Sequence, residues 1–379
     1  MKMIKRFAVV VLALLLALSA CGCLHEKDEV AVTVGDLEFT SAYYMCAFVF
    51  ADLQGQQEVY DSLSEKDKSN AELDYRSKKI DGKEYQKWVE DEAVKTIKNN
   101  AAYRTLCKNN KVSLSDKLKE SLNQEIEQMW AYYSDWFKAN GVYRETFETY
   151  KTDTYYKSAY FDYLYGKEGT KAPAAEEITA KMTENLILAD VLEGAFTSYD
   201  QTTGAQKTLT DAEKTELKNK FNAYAADLTA GKKTFDQVYH EHKGTEQAKE
   251  DTEITDFGES DVAPKNRHAS VFGTKAVEEK TGSSYQSAHF DTVKAMAVGE
   301  VKVIELEDNA GIMLVVKRDI IDDKYYADNF ETVVRYLLKD ADFEKEIAAH
   351  VKATKCEVSD YAVGQFEAND IPEMTYNEQ

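Results

Sequence analysis

The sequence contains few of the residues that interrupt regular secondary structure. Of its 379 residues only three are proline and 17 are glycine. Because these residues break helices and build tight turns, their scarcity argues against a turn-rich all-β protein and favours long helices. After the first twenty residues, no stretch approaches the roughly 18 consecutive apolar residues that a membrane-spanning helix needs. The body of the chain is therefore not predicted to thread through a bilayer.

Positive charge is also scarce. The chain has 47 Lys and Arg residues against 68 Asp and Glu residues, a net charge of −21, and without the first twenty residues, which include Lys2, Lys5 and Arg6, this becomes −24. No dense cluster of Lys and Arg offsets it locally. Since an acidic surface repels phosphate backbones, nucleic acid is excluded as a partner.

Sequence motifs of several enzyme classes are missing. There is no G-x-S-x-G, H-E-x-x-H or P-loop motif, which argues against a hydrolase. The cysteines Cys23, Cys46, Cys107 and Cys356 form no C-x-x-C pair and no metal-type spacing with histidine, so we expect no metal and no other cofactor. Cys46 and Cys107 lie in apolar helical patterns and are predicted to be buried free thiols.

The first residues have the pattern of a bacterial lipoprotein signal. Three basic residues precede twelve uninterrupted apolar residues (7–18), and Leu-Ser-Ala-Cys follows, ending at Cys21. The apolar run is short for a spanning helix but suits a signal peptide. We therefore predict a signal peptide over residues 1–20 and lipid attachment at Cys21, on the outer face of the cell membrane. Plain secretion or an uncleaved anchor would also place the body outside the cytoplasm.

The first half of the mature chain is predicted to be mainly helical. Residues 29–40 alternate apolar and polar side chains and predict a β-hairpin, whereas the charged stretch 55–83 is expected to be weakly ordered. Fourteen of the 36 residues from Trp130 to Tyr165 are aromatic, which we interpret as helix packing, with some tyrosines lining a groove. Apolar spacings of three and four predict four helices: over 41–53, over 84–109, from a cap at Ser113 or Ser115 to Gly141, and over 143–165.

The second half changes character after a linker at residues 166–174, which contains two glycines and Pro173. Strand and helix patterns then mix until a long helix over 324–351 returns. This order predicts an α+β protein in which an inserted α+β unit interrupts a helical body. The patterns of the insert and the last helix are these: helices over 176–185, 210–231, 234–240 and 290–296, strands over 186–192, 301–306 and 312–316, and the helix over 324–351.

Together these pieces resemble the membrane-anchored foldases of Gram-positive bacteria (PrsA-like) and their periplasmic relatives (SurA-like). In these, both chain ends build a helical chaperone domain that carries a parvulin-type peptidyl-prolyl isomerase domain as an insert. The matching segments are the lipobox at Cys21, VTVGDLEFTSAYY (32–44), DGKEYQKWVEDEAVKTIK (81–98), KNNKVSLSD (108–116), LKNKFNAYAADLTAGKKTFDQVYHEH (217–242), FDTVKAMAVGEV (290–301) and GIMLVVKR (311–318).

The resemblance implies a domain division and a function. The helical chaperone domain would comprise residues 21–170, the parvulin-like domain residues 174–319, and residues 320–379 would form a helix and tail that pack back on the first domain. The function implied is that of a membrane-anchored foldase or chaperone whose partners are unfolded or nascent exported polypeptides.

The insert departs from the family where the chemistry is expected. Catalytic parvulins carry one histidine in the first strand and another in the last, but the first strand here has Asp190 or Val191 at that place, and the last offers Ile312, Met313 and Leu314. Prolyl isomerisation needs an apolar pocket for the ring and polar groups that favour the twisted amide over the planar one. Neither family imidazole is present.

Other residues of the insert are candidates for these roles. Asp190 is the candidate catalytic polar group, and the candidate substrate-binding residues are Phe257, Phe290, Met296 and Met313. His289 is a weaker candidate for replacing a lost imidazole, while His240, His242 and His268 are interpreted as solvated histidines. Isomerase activity is accordingly expected to be weak or absent.

Two alternatives to the foldase remain open. One is a non-catalytic holdase whose insert is an inactive, parvulin-like peptide-binding domain. The other is a solute-binding lipoprotein, which fits less well because such proteins need two lobes of alternating strands and helices, whereas residues 40–165 give helices almost without interruption.

Overall fold

A computed structural model describes residues 29–68, 74–199, 206–244, 263–265, 267–306 and 310–374. The chain is an α+β protein, as the sequence predicts, and divides into two compact units. The first comprises Met1–Leu164 with Asp342–Gln379, and the second comprises Tyr165–Ala341. We call them the helical unit and the inserted unit.

Long helices and one small sheet make up the helical unit. A long helix over Lys324–Ala353, most of which belongs to the inserted unit, ends within it. In chain order its elements are β1 (Val30–Val34), β2 (Leu37–Thr40), α1 (Ser41–Ser62), α2 (Glu65–Lys68), β3 (Lys79–Ile80), β4 (Lys83–Glu84), α3 (Tyr85–Asn110), α4 (Asp116–Ala139), α5 (Arg144–Tyr165), β11 (Cys356–Val358) and α12 (Asp360–Val363).

Local signals in the sequence fix the ends of these helices. The Thr40 hydroxyl accepts a hydrogen bond from the Tyr43 amide and caps α1, and the Ser115 hydroxyl caps α4 in the same way. Such caps satisfy amides that have no partner inside the helix. Helix α3 ends at Asn110, and Lys111 after it adopts the left-handed conformation that terminates helices.

The sheet of the helical unit brings distant parts of the chain together. Its strand order is β11-β1-β2, and β11 pairs antiparallel with β1, so that Val358 lies opposite Val32. The sequence predicts only an extended tail here. The partner of β11 lies more than 300 positions away, so no local pattern indicates the pairing. Both ends of the described chain thus contribute to one core, which includes Val32, Tyr44 and Ile371.

The inserted unit is built around a four-stranded antiparallel sheet. Two further short strands form a separate hairpin. In chain order its elements are α6 (Ala175–Asn185), β5 (Leu186–Ala195), β6 (Thr197–Tyr199), β7 (Gln206–Thr208), α7 (Asp211–Thr229), α8 (Phe235–Lys243), β8 (Ala269–Gly273), α9 (Lys275–Thr281), α10 (Phe290–Lys294), β9 (Val301–Glu305), β10 (Gly311–Arg318) and α11 (Lys324–Ala353).

The register of this sheet determines which side chains share a face. The strand order is β8-β5-β10-β9, and β5 pairs with β10 so that Val191 lies opposite Val315 and Asp190 opposite Val316. Directly opposite residues of an antiparallel pair lie on the same face, and the faces alternate along each strand. Val191 and Val315 therefore lie on one face, which carries α10, and Asp190 and Val316 lie on the other.

The structure also differs from the predicted elements within residues 55–83 and 241–289. Within 55–83, helix α1 continues to Ser62, and the hairpin β3–β4 follows after α2. The polar stretch 241–289 contains β8 and α9. Strand β8 is short and gains its stability from pairing with β5. The residues of β8 alone give no indication of this pairing.

Helix α11 also differs from the prediction that residues 320–379 pack on the first domain. Val334 is buried in the core of the inserted unit, together with Ile178 and Leu188. Farther along the same helix, Phe343 packs on Tyr103 and Phe161 in the helical unit. A continuous apolar stripe predicts that a helix is buried along its length. It does not predict which hydrophobic core each turn of the helix packs against.

No helix among the described residues is long and apolar enough to cross a membrane.

Candidate functional site

Three of the four candidate substrate-binding residues lie together in the inserted unit. Phe290, Met296 and Met313 belong to one apolar cluster between α10 and the sheet. They are 4%, 4% and 0% exposed, respectively. Their side chains thus form packed core rather than the wall of an open pocket. Phe257 lies outside the described residues, and its role, like theirs, stays a prediction.

Asp190, the candidate catalytic residue, lies on the opposite face of the sheet from these three side chains. It is 3% exposed, and its Oδ2 accepts a hydrogen bond of 2.7 Å from Nε of Arg318. Among the described residues, Oδ1 has no hydrogen-bond partner. Burial raises the pKa of Asp190, while the charge of Arg318 opposes that rise. The structure therefore joins Asp190 to Arg318 and separates it from the apolar cluster.

His268, which is close enough to influence the pKa of Asp190, pairs with the carboxylate of Asp236. The ring of His268 stacks on Tyr239 with 4.0 Å between the centroids, and its Nε2 lies 3.0 Å from Oδ1 of Asp236. The side chain is only 7% exposed, so the interpretation of His268 as a solvated histidine is wrong. Buried Asp323 also lies close enough to raise the pKa of Asp190.

His242 is not a solvated histidine either. Its ring makes edge contacts with Phe221 and Tyr224 at centroid distances of 5.1 and 6.3 Å. Burial lowers its pKa to about 4. It is therefore neutral near pH 7. His242 lies four residues after the fully buried Val238, and residues four apart share a helix face, which is the signal that the sequence analysis missed.

The described part of the chain contains no group of three or more His, Cys, Asp or Glu side chains placed to hold a metal. Cys46, Cys107 and Cys356 are free, and the first two are buried. Burial raises the pKa of Cys107 to about 12. These thiols are therefore protonated at neutral pH and poor nucleophiles. Cys21 lies outside the described residues.

In the helical unit, a buried carboxyl group connects three elements. Asp153, on α5, is 2% exposed and accepts a hydrogen bond of 3.0 Å from the Tyr43 hydroxyl of α1. Asn100, on α3, donates to the same hydroxyl at 3.0 Å. Arg104 lies 3.5 Å from Asp153. Burial raises the pKa of Asp153 to about 6 against the influence of Arg104 and Tyr43.

A second buried carboxylate holds an arginine in place. Asp52 is fully buried, and Arg76 donates two hydrogen bonds to it, at 3.0 and 2.7 Å. The Tyr85 hydroxyl lies 2.8 Å from the backbone oxygen of Asp52. A third guanidinium hydrogen bond, of 2.9 Å, goes to the backbone oxygen of Ile371. Sequence analysis missed this contact because its partners lie 295 positions apart.

The aromatic residues of α4, α5 and the turn between them are divided between core and surface. Phe147 is fully buried and lies 4.7 Å from Phe137, centroid to centroid. By contrast, Tyr132 and Tyr143 are 40% and 43% exposed. The prediction that most of these rings pack between helices agrees with the first pair, and the second pair remains accessible to other molecules.

The helical unit also contains a cavity of about 500 Å³, between the β1–β2 turn, α3 and the end of α11. Lys98, Arg104, Lys108 and His350 are among the residues that line it. Lys108 and His350 lie in the last turns of α3 and α11, where basic side chains compensate the helix dipole. Arg104 lies 3.5 Å from Asp153, so three of these four basic side chains have a structural explanation.

A helical unit built from distant chain segments, with an inserted antiparallel α+β unit, defines the architecture. The chain is similar to the foldase protein PrsA from Streptococcus pneumoniae, with 14% identity over 72% of this chain and 87% of that chain, at a TM-score of 0.38. It is also similar to the foldase protein PrsA from Lactococcus lactis, with 11% identity over 88% of this chain and 96% of that chain, at a TM-score of 0.36. No family model and no curated protein matches the sequence.

Proposed function

We propose that this protein is an extracytoplasmic chaperone that binds unfolded exported polypeptides through its helical unit. The observation that supports this most directly is the position of its exposed tyrosines. Tyr60, Tyr132, Tyr143 and Tyr361 are between 37% and 72% exposed, and all four lie in the helical unit.

Tyrosine suits the capture of many different unfolded chains. Its ring offers a large apolar contact at a low cost in side-chain entropy, and its hydroxyl keeps the surface hydrated when no client is bound. The net charge of −21 keeps such a surface soluble and limits self-association. Transient binding of apolar client segments is the activity that these features favour.

The inserted unit is proposed to lack efficient prolyl isomerase activity. An isomerase needs its polar group and its apolar pocket on the same side of the bound peptide. Asp190 and Met313 are buried on opposite faces of the sheet, and Asp190 is held by Arg318. These features favour the holdase over the catalytic foldase.

We further propose that Cys21 carries the lipid that anchors the protein outside the cytoplasm. The proposal rests on the apolar run and the Leu-Ser-Ala-Cys sequence. In cells fed a labelled fatty acid, the protein should incorporate the label and sediment with membranes. Cys21→Ser should abolish both, whereas Cys356→Ser should change neither. Equal labelling of the Cys21→Ser variant would reject the anchor.

Suppression of aggregation tests the chaperone function. Light scattering of a chemically unfolded test protein would be followed after dilution into the purified protein. The double variant Tyr132→Ser/Tyr143→Ser should lose at least half of the protection, because it removes two exposed rings. Tyr132→Phe/Tyr143→Phe keeps the rings and should retain protection.

A control pair in the inserted unit tests whether replacing any two exposed apolar side chains with serine would reduce protection. Val298 and Ile321 are 63% and 37% exposed and lie in that unit. Val298→Ser/Ile321→Ser should leave protection unchanged. No suppression by the wild-type protein at a tenfold molar excess would reject the function, and a loss in the control equal to that in the serine pair would reject its assignment to the helical unit.

A further inference from the structure

Residues 364–374 form a segment that lies on the helical unit much as a bound peptide would. Phe366, Ala368 and Ile371 are 6%, 2% and 2% exposed, whereas Glu367 and Asp370 between them are exposed. The Phe366 ring lies 5.6 Å from Tyr44 and 6.3 Å from Phe48, centroid to centroid. The segment is thus seated through a few apolar anchors and turns its charges outward.

Side chains of the helical unit bind the backbone of this segment. Gln86, on α3, donates to the backbone oxygen of Phe366 at 2.9 Å and accepts from the backbone N–H of Ala368 at 2.8 Å. This pairing imitates a neighbouring β-strand. A backbone group is present whatever the side chain, so these hydrogen bonds place no demand on the sequence that is bound.

Two more donors hold the end of the segment. Arg76 donates to the backbone oxygen of Ile371 at 2.9 Å, and the Trp136 indole N–H donates to the backbone oxygen of Pro372 at 2.8 Å. Arg76 is oriented independently of the segment, because Asp52 binds its guanidinium in two places. The segment is extended at Glu367 and then forms a single 3₁₀ turn over Ala368–Asp370. Arg76 is thus a pre-organised donor to this backbone, and with Gln86 and Trp136 it forms the groove that holds the segment.

We propose that residues 364–374 are a self-ligand of this groove, displaced by client segments that have apolar residues at the same spacing and form the same single turn. This inference rests on the proposed chaperone function and adds to the exposed tyrosines a second binding site of the helical unit, with its substrate class. The class is an unfolded polypeptide with apolar side chains at positions one, three and six, matching Phe366, Ala368 and Ile371, that can form a 3₁₀ turn between the last two and needs no charge.

A seated self-ligand also regulates the groove. Only the fraction of molecules with an open groove can bind a client, so the apparent affinity for clients falls by that fraction. Weakening the self-ligand without changing the groove should therefore tighten client binding. The direction of this change in client affinity is diagnostic. If the segment were purely structural, weakening its contacts would lower the affinity for clients or leave it unchanged.

The test uses the full chain and a fluorescent peptide with the sequence of residues 364–374. Ile371→Ala removes one anchor of the self-ligand and leaves the groove intact. Ile97→Ala is the matched control, since Ile97 is fully buried in the same core but belongs to α3, about three helical turns after Gln86, and not to the segment. The peptide should bind the Ile371→Ala variant at least ten times more tightly than the wild type or the control, as measured by fluorescence anisotropy.

A measurement on the unmutated protein avoids any folding defect of the variants. Saturating unlabelled peptide should speed hydrogen exchange at the amide of Ala368 at least tenfold, because the peptide takes its bond to Gln86. A peptide in which all three apolar residues are serine should have no effect. Binding of the parent peptide without faster exchange at Ala368 would overturn the proposal, as would equal affinity for all three proteins.

The aggregation assay distinguishes the two failures. If the wild-type protein suppresses aggregation but the parent peptide neither binds nor competes, the self-ligand is rejected and the chaperone function stands. If the peptide opens the groove but no unfolded protein is protected, the chaperone function is rejected. Competition by the parent peptide and not by its serine variant supports both.

Discussion

Asp190 and Met313 lie on paired strands of one sheet, yet their side chains point to opposite faces. Val316 is the residue opposite Asp190, and Glu193 is the residue opposite Met313. A one-residue change of register would have placed the two side chains together, because the faces alternate along each strand. The buried pairing of β5 with β10 sets this register and keeps the candidate polar group apart from the apolar cluster.

Prolyl isomerisation should therefore be slow with this protein. In a protease-free assay on a short X-Pro peptide, we expect little acceleration over buffer, because the candidate polar group Asp190 does not share a face of the sheet with the apolar cluster. Asp190→Asn should leave any residual rate unchanged. Turnover comparable with that of an intact parvulin, lost in Asp190→Asn, would contradict the separation of the two groups.

Removal of Arg318 should destabilise the inserted unit in a pH-dependent way. Arg318→Gln leaves the buried Asp190 carboxylate without its partner, which costs about 3 kcal/mol near pH 7. Burial already raises the pKa of Asp190, and losing Arg318 raises it further. As the pH falls, Asp190 takes up a proton and the cost shrinks.

Hydrogen exchange of β5 and β10 measures this effect. The three tryptophans, Trp88, Trp130 and Trp136, all lie in the helical unit and do not report on these strands. Asp190→Asn/Arg318→Gln should recover all but about 1 kcal/mol of the loss, since it leaves no buried charge unpaired. A cost that is equal at pH 4 and pH 7 would show that Asp190 is not its source.

Replacement of Asp153 should flatten the pH dependence of stability in the helical unit. Burial raises its pKa from 3.8 to about 6, so the folded protein retains this proton at pH values where the unfolded chain has lost it. The wild type consequently loses stability as the pH rises from about 4 through about 6, by about 3 kcal/mol for this group. Asp153→Asn lacks that loss.

Urea unfolding followed by tryptophan fluorescence provides the comparison. The free energy of unfolding of the wild type, relative to that of Asp153→Asn, should fall by about 3 kcal/mol between pH 4 and pH 7. Contributions from other carboxylates cancel in this difference. Parallel curves for the two proteins would mean that Asp153 has an ordinary pKa.

Gly55 should tolerate alanine only when Tyr85 is shortened. An added Cβ would lie 2.9 Å from the Tyr85 hydroxyl oxygen and 3.1 Å from the Trp88 ring. Such overpacking costs about 1–3 kcal/mol, which outweighs the gain of about 1 kcal/mol from replacing glycine inside a helix. We expect Gly55→Ala to destabilise the wild type by about 1 kcal/mol.

A double-mutant cycle isolates this contact. In the Tyr85→Phe background, where the nearest atom is gone, Gly55→Ala should cost about 0.5–1 kcal/mol less. Tyr85→Phe alone should cost about 1 kcal/mol, because it removes the hydrogen bond to Asp52. Additive effects in urea unfolding would show that the two residues do not compete for space.

The sequence allowed prediction of the elements whose signals are local. Helices α3 and α5 begin and end within a residue or two of the predicted positions, since apolar periodicity and caps are properties of neighbouring residues. Strands β8 and β11 escaped prediction because each is short and depends on a partner far along the chain. Short strands gain their stability from pairing rather than from their own composition.

The candidate sites show the same difference between local signals, which can be predicted, and contacts between distant residues, which cannot. Residue types nominated Asp190, Phe290, Met296 and Met313, and the structure does bring the last three together. Whether Asp190 joins them depends on its face, and the pairing with Arg318 depends on the strand register. Likewise, no local pattern connects Gln86 with Ala368 across 282 positions.

The backbone contacts of residues 364–374 have a consequence for mutational tolerance. Glu367, Asn369 and Asp370 are exposed, and the hydrogen bonds to Gln86 and Arg76 involve main-chain atoms. Random substitution at these three positions should leave the segment bound in the same place on the helical unit, provided that proline is avoided. This stretch can consequently diverge quickly in evolution while its position on the helical unit is retained.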